Sequence, residues 1–163
     1  MNEMPDIFFL DSHLHLQDPR FNDRRAVVIE KAVGAGVARM FCNATRQSDW
    51  QDVLVLAKNS HAIVPFIGIH PWYCDTATRD WHQELTEIHE TTRCAIGKTG
   101  LDRHCSCDMR LQEKLFIAQL QLAIDCQRPL VIHCLGSWGK LFDILDSQTK
   151  QAPMPPIMVH SFG

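Results

Sequence analysis

The sequence predicts an α/β fold of parallel strands covered by helices, and three observations carry that expectation. Short apolar runs alternate along the chain with longer stretches of helical period. The runs are apolar almost throughout, as strands buried on both faces must be. The chain has 163 residues, 45% hydrophobic and 21% charged, which suits one domain over residues 1–163 with a core of its own. Periodicity alone does not say whether the sheet stays open or curls into a barrel. A complete eight-unit (β/α) barrel takes about 250 residues and seldom fewer than about 200, so a barrel of this length would be incomplete.

The elements follow in order. Residues 7–10 form the first apolar run and lead into Asp11-Ser12-His13-Leu14-His15. A helix is expected from about residue 23 to 35, with Ala26, Val27, Ile29, Ala32 and Val33 on or near one face and Gly34 and Gly36 as its stop. The second strand spans 37–43. Ser48 can cap a second helix that carries Trp50, Val53, Leu54 and Ala57, with Gln51 in the capping-box position. The third strand, 62–69, runs into His70-Pro71. A weaker helix near 80–90 presents Trp81, Leu85 and Ile88 on one side and leads to a strand at 94–97. Asp108 opens the longest helix, where Leu111, Leu115, Ala118 and Leu122 recur at spacings of three or four, and Pro129 closes it. A fifth strand at 130–133 precedes a helix near 137–147 with Trp138, Leu141, Phe142 and Leu145. The Pro153-Met154-Pro155-Pro156 link then enters a sixth strand at 157–160.

Composition excludes several functions. Sixteen Lys and Arg against nineteen Asp and Glu leave a formal charge of -3, so the chain lacks the basic footprint that holds long nucleic acid by counterion release. The start, Met1 to Asp6, does not read as a secretory signal, and no apolar run approaches the roughly 20 residues of a membrane span. The seven cysteines follow no repeated spacing, which points to reduced thiols and a cytoplasmic protein. Cys105-x-Cys107 beside His104 lacks the second pair that a tetrahedral metal site needs.

The chemistry concentrates in histidines that follow successive apolar runs: His13 and His15, His70, His133 and His160. In parallel α/β folds the C-terminal edge of the sheet is where ligands bind. Side chains alternate along a strand, so His13 and His15 point to one side and Leu14 to the other, and two imidazoles can face one cation. His133 and His160, on later strands, extend the expected metal site. His70 lies in a plausible turn, Gly68-Ile69-His70-Pro71, and suits substrate contact better than ligation.

Five ordered segments resemble the motifs of the TatD family of metal-dependent deoxyribonucleases in the amidohydrolase superfamily. They are Asp11-Ser12-His13-Leu14-His15, Gly68-Ile69-His70-Pro71, Gly100-Leu101-Asp102, Pro129-Leu130-Val131-Ile132-His133-Cys134 and Val159-His160-Ser161-Phe162-Gly163. The resemblance covers essentially the whole chain. It implies an incomplete TIM-like (β/α) barrel of about six parallel strands with surrounding helices. It also implies hydrolysis of DNA phosphodiesters, of the 3′-5′ exonuclease type, on short or single strands. Carried over position by position, His13 and His15 would hold a first divalent ion and His133 and His160 a second (Mg, Mn or Zn). His70 and Arg103 would contact substrate, and Asp11 and Asp102 would support the site. Two such ions can activate water and stabilise the leaving oxygen.

Two departures set limits. The family pattern reads Gly-Glu-x-Gly-Leu-Asp, where the Glu bridges the two ions, and this chain has Gly97-Lys98-Thr99-Gly100-Leu101-Asp102. A protonated Lys98 cannot replace a bridging anion, because an ammonium beside two dications is repelled. Three readings of Lys98 stand open: a carbamate formed with carbon dioxide, an ammonium in the place of an ion, or a side chain turned to solvent. The family also has two further β/α units, ending in an Asp that binds the first ion, beyond the position of Gly163. The expected consequences are impaired catalysis and self-association through unclosed sheet edges. Three functions therefore compete: a DNA-cleaving metal hydrolase, a catalytically silent metal-binding fragment, and a metal hydrolase of a small ester, lactone or amide.

Overall fold

The computed structural model describes residues 8–150 and 152–162; the first residues, including the Met1–Asp6 start and Ile7 of the first run, lie outside them, as does Gly163. Six strands run parallel in sequential order, β1 (Phe9–Leu14), β2 (Val37–Asn43), β3 (Ile63–Ile67), β4 (Ala95–Asp102), β5 (Leu130–Leu135) and β6 (Ile157–His160). Five helices cross between them: α1 (Arg25–Gly34), α2 (Trp50–Asn59), α3 (Trp81–Thr91), α4 (Met109–Asp125) and α5 (Trp138–Thr149). The sequential order, with a helix in every crossover, is that of an incomplete (β/α) barrel rather than of a doubly wound sheet, whose order reverses at a switch point.

Two apolar layers hold it together. The larger lies between sheet and helices, where Ile67, Ile96, Leu101, Leu130 and Ile132 meet Trp50, Leu85, Phe116, Leu120 and Leu141. The smaller lies on the concave side, where Phe66, Ala95 and Val131 pack with Phe41, Val64 and Met158. This double burial is why the strands read as continuous apolar runs. Every residue of β4 is buried, including Lys98 and Asp102. Gly100 on this strand has φ +139 and abuts the His133 carbonyl of β5, so no side chain fits there. The outer strands differ: Phe9, Leu10, Asp11 and Ser12 of β1 are exposed, and β6 is half-buried.

Local structure departs from expectation in instructive places. β4 continues through Asp102 instead of ending at Gly97, which puts the Gly97–Asp102 motif on the strand itself. A short 3-10 turn, Gln47–Asp49, precedes α2, and the capping carboxylate belongs to Asp49, not Ser48. It accepts hydrogen bonds from Thr45 N, Thr45 Oγ1 and Arg46 N. Asp108 caps α4 as the sequence suggests, accepting from Arg110 N and Leu111 N. The expectation of reduced thiols fails at one pair: Cys74 and Cys107 form a disulfide with Cα atoms 6.3 Å apart, because the turn after β3 and the loop after β4 meet there. Cys42, Cys94, Cys105, Cys126 and Cys134 remain thiols.

Candidate metal centre

Parallel strands deliver their C-terminal ends to one edge, and that edge collects His13, His15, His70, Lys98, Asp102, His133 and His160. Buried amides fix the loops that carry them. Gln119 of α4 accepts from Ile69 N at 2.7 Å and donates to Thr99 Oγ1 at 2.8 Å, which ties the His70 turn to β4. Gln112 accepts from Asp102 N at 2.8 Å and donates to the carbonyls of Asp102 and Cys107. A glutamine inside the apolar face of a predicted helix was the available sequence signal for both.

The imidazoles fall into two groups. In the first, His15 Nδ1 donates to the Asn43 carbonyl at 2.7 Å, which leaves Nε2 with its lone pair. That Nε2 lies 3.1 Å from His13 Nε2, while His13 Nδ1 is buried with no partner. His160 of β6 stacks on His13 with centroids 3.7 Å apart, and its Nε2 is 2.9 Å from Ser161 Oγ. Stacked rings offer faces rather than lone pairs, so His160 adds no third donor to the His13–His15 pair. In the second group, Asp102 Oδ2 receives His133 Nε2 at 2.9 Å and Trp72 Nε1 at 2.6 Å. His70 is buried beside them, its centroid 4.4 Å from that of His133, and its Nδ1 accepts from Trp72 N at 3.2 Å. Asp11 is exposed and accepts from His13 N at 3.1 Å. Arg103 is exposed and faces a neighbouring cleft with Ser137, Trp138 and Lys140, apart from the histidines.

Lys98 is 6% exposed, so the reading that turns it to solvent does not hold. Burial pushes its ammonium down to about 8 against the pull of Asp102. In turn, burial first and the Lys98 charge next hold His13 near 3 and His160 near 4. Burial, then His133 and Lys98, take His70 to about 2. His15 and His133 are also lowered, chiefly by burial. Burial alone would raise Asp102, but hydrogen bonds from Trp72, His133 and the His104 N–H outweigh it. At neutral pH the cluster is a set of uncharged imidazoles around a buried amine.

Uncharged imidazoles are the form that binds a cation. Two nitrogens 3.1 Å apart, each at the roughly 2.0–2.1 Å of a Zn–N bond, subtend about 100° at a shared ion, between octahedral and tetrahedral values. The His13–His15 pair therefore fits one divalent cation. A carboxylate-bridged pair of ions does not fit, since Lys98 lies within Coulombic reach of all five imidazoles and, unless carbamylated, supplies no anion. Among the described residues no group of three or more His, Cys, Asp or Glu is arranged to hold a metal ion. The open face is a cleft of about 490 Å³ that contains His15, His70, Lys98 and His133 together with Arg46, Asp49, Trp72 and Tyr73. Sequence reasoning passed over the last four.

Comparison with known proteins gives a consistent result. The family model described as TatD related DNase matches residues 10–163. The 3′-5′ ssDNA/RNA exonuclease TatD of Enterobacter lignolyticus is 28% identical over 155 residues, covering 93% of this chain and 58% of the relative. An uncharacterized metal-dependent hydrolase of Methanocaldococcus jannaschii is 31% identical over 162 residues, covering 98% of this chain and 61% of its own length. The crystal structure of YjjV, a TatD homologue from Escherichia coli, superposes with a TM-score of 0.86 at 26% identity, over 95% of this chain and 60% of that one. The chain thus spans about three fifths of the length of these relatives.

Proposed function

This chain belongs to the TatD-related DNase family, and from that premise we propose that it acts as a metal-dependent hydrolase of DNA phosphodiesters at single-stranded 3′ ends. The observation that carries this reading is the gathering of His13, His15, His70, His133 and His160 at the strand edge, on neutral rings that line or border one cleft. His13 and His15 would hold a divalent cation, whose chemistry there would be to activate a water and to polarise the scissile phosphate. His15 is oriented by Asn43 and His133 by Asp102, so each ring keeps one nitrogen as an acceptor. His70 contacts a phosphate oxygen. Lys98, protonated at neutral pH, offsets phosphate charge and opposes a second ion beside His133 and His160.

The test uses a labelled single-stranded oligonucleotide with protein stripped by chelator and then given Mg, Mn or Zn. Metal-dependent 3′ shortening is expected, and His13→Ala should reduce it by about 100-fold or more, beyond the loss typical of a residue that merely orients a ligand. An activity indifferent to chelator and to His13→Ala would refute the proposal. A second reading, a catalytically silent cation-binding chain, is favoured by the buried Lys98 and by the lack of a third convergent donor among the described residues. It predicts saturable cation binding, lost in His13→Ala, with no cleavage.

A further inference from the structure

We propose that Trp72, Tyr73 and Arg46 form a nucleotide subsite at the mouth of the cleft, where the Trp72 face stacks an unpaired base and Arg46 meets the adjoining phosphate. This deepens the hydrolase reading by naming what the cleft recognises beside the scissile bond, and it rests on that reading.

Trp72 is 55% exposed, whereas Trp50 of the same chain is fully buried. An indole left in water forfeits a large burial gain unless something covers it. Yet Trp72 is held firmly. Its Nε1 donates to Asp102 Oδ2 at 2.6 Å and its backbone N donates to His70 Nδ1 at 3.2 Å. Its ring meets those of His70 and His133 edge to face, with centroids 5.1 and 6.3 Å away. A fixed edge beside a wet cleft is a preorganised stacking platform, which costs little rotamer freedom on binding. Next to it the Arg46 guanidinium lies 4.4 Å over the centre of the Tyr73 ring, which holds a cation at the same opening.

An aromatic face and a guanidinium on one wall match a base and its phosphate on a single strand. With a net charge of -3 the chain has no general attraction for a polyanion. Binding should therefore be local and carry a shallow salt dependence, equivalent to about one or two phosphates.

The experiment measures binding of a labelled thymidine hexanucleotide and of its abasic counterpart, in chelator so that nothing is cleaved. Wild type should prefer the oligonucleotide with bases by about tenfold, the effect of roughly one stacked base. Trp72→Ala should erase the preference. Trp72→Phe, which keeps a ring but loses the bond to Asp102, should retain most of it. Arg46→Ala should weaken both ligands equally and flatten the salt slope by about one. Equal affinity of wild type for the two ligands, or an undiminished preference in Trp72→Ala, would overturn the subsite. Preference in wild type without cleavage under any divalent ion would leave the subsite standing and remove the hydrolase reading instead.

Discussion

The middle of the sheet and its two outer strands carry the same kind of residue at the same height, yet they hold it differently. His133, Asp102 and Lys98 sit on β4 and β5, where neighbours on both sides and helices behind bury the backbone. His13 and His160 sit on β1 and β6, which among the described residues have a strand on one flank only, and stacked rings rather than a backbone ladder bring the two together. The central half of the site is thus enclosed by the sheet on both flanks, while the outer half is laddered on one flank and meets across the other through stacked side chains. A parallel strand becomes rigid when both faces and both edges are occupied, and four exposed residues in a row on β1 show what one empty flank costs.

The sharpest way to probe this difference is charge at the centre. Lys98→Glu replaces the buried amine with an anion in reach of every imidazole, so it should raise divalent ion content from about one to about two per chain, read by elemental analysis, with activity rising in parallel. An unchanged metal content would mean that the outer histidines, not Lys98, limit occupancy. Backbone packing comes next. Gly100→Ala places a methyl group against the His133 carbonyl at positive φ, and should destabilise by about 3 kcal/mol in denaturant unfolding, whereas Leu10→Ser on β1 should stay within about 0.5 kcal/mol. Comparable losses at both positions would erase the contrast between centre and edge.

Acid should act more gently. His13, His70 and His160 are neutral in the fold and have lowered affinities for protons, so below about pH 6.5 the unfolded chain binds more protons than the folded one. The stability these rings contribute is then complete above that pH and declines as pH falls toward 4, which a series of melting temperatures would register; a flat series would contradict the burial of these rings. The smallest effect concerns the edges. Phe9 and Leu10 of β1 are more than half exposed, and Phe162 just past β6 is 72% exposed, so weak, concentration-dependent association is expected in sedimentation, reduced by Leu10→Ser.

Much of this was legible in the letters. Element order, the strand-end position of each histidine and the Asp108 cap follow from period and spacing, because burial on two faces imposes them locally. The length of β4 was hidden, since Gly97 and Gly100 look like a stop although their role is to let β5 approach. The pairing of Cys74 with Cys107 joins residues 33 apart through a meeting of loops that no local pattern encodes. Trp72 carries no mark in the sequence, and only its anchored edge and exposed ring separate it from core residues. His160 followed its strand as expected, but its stacking on His13 depends on how far the sheet curls, which periodicity does not report.

The Cys74–Cys107 crosslink ties the turn bearing His70 and Trp72 to the loop that follows Asp102. Those two segments must travel as one piece, so the aromatic wall behaves as a fixed jaw. Any breathing of the cleft then falls to the opposite jaw, along the boundary where β1 meets β6 through two imidazole planes.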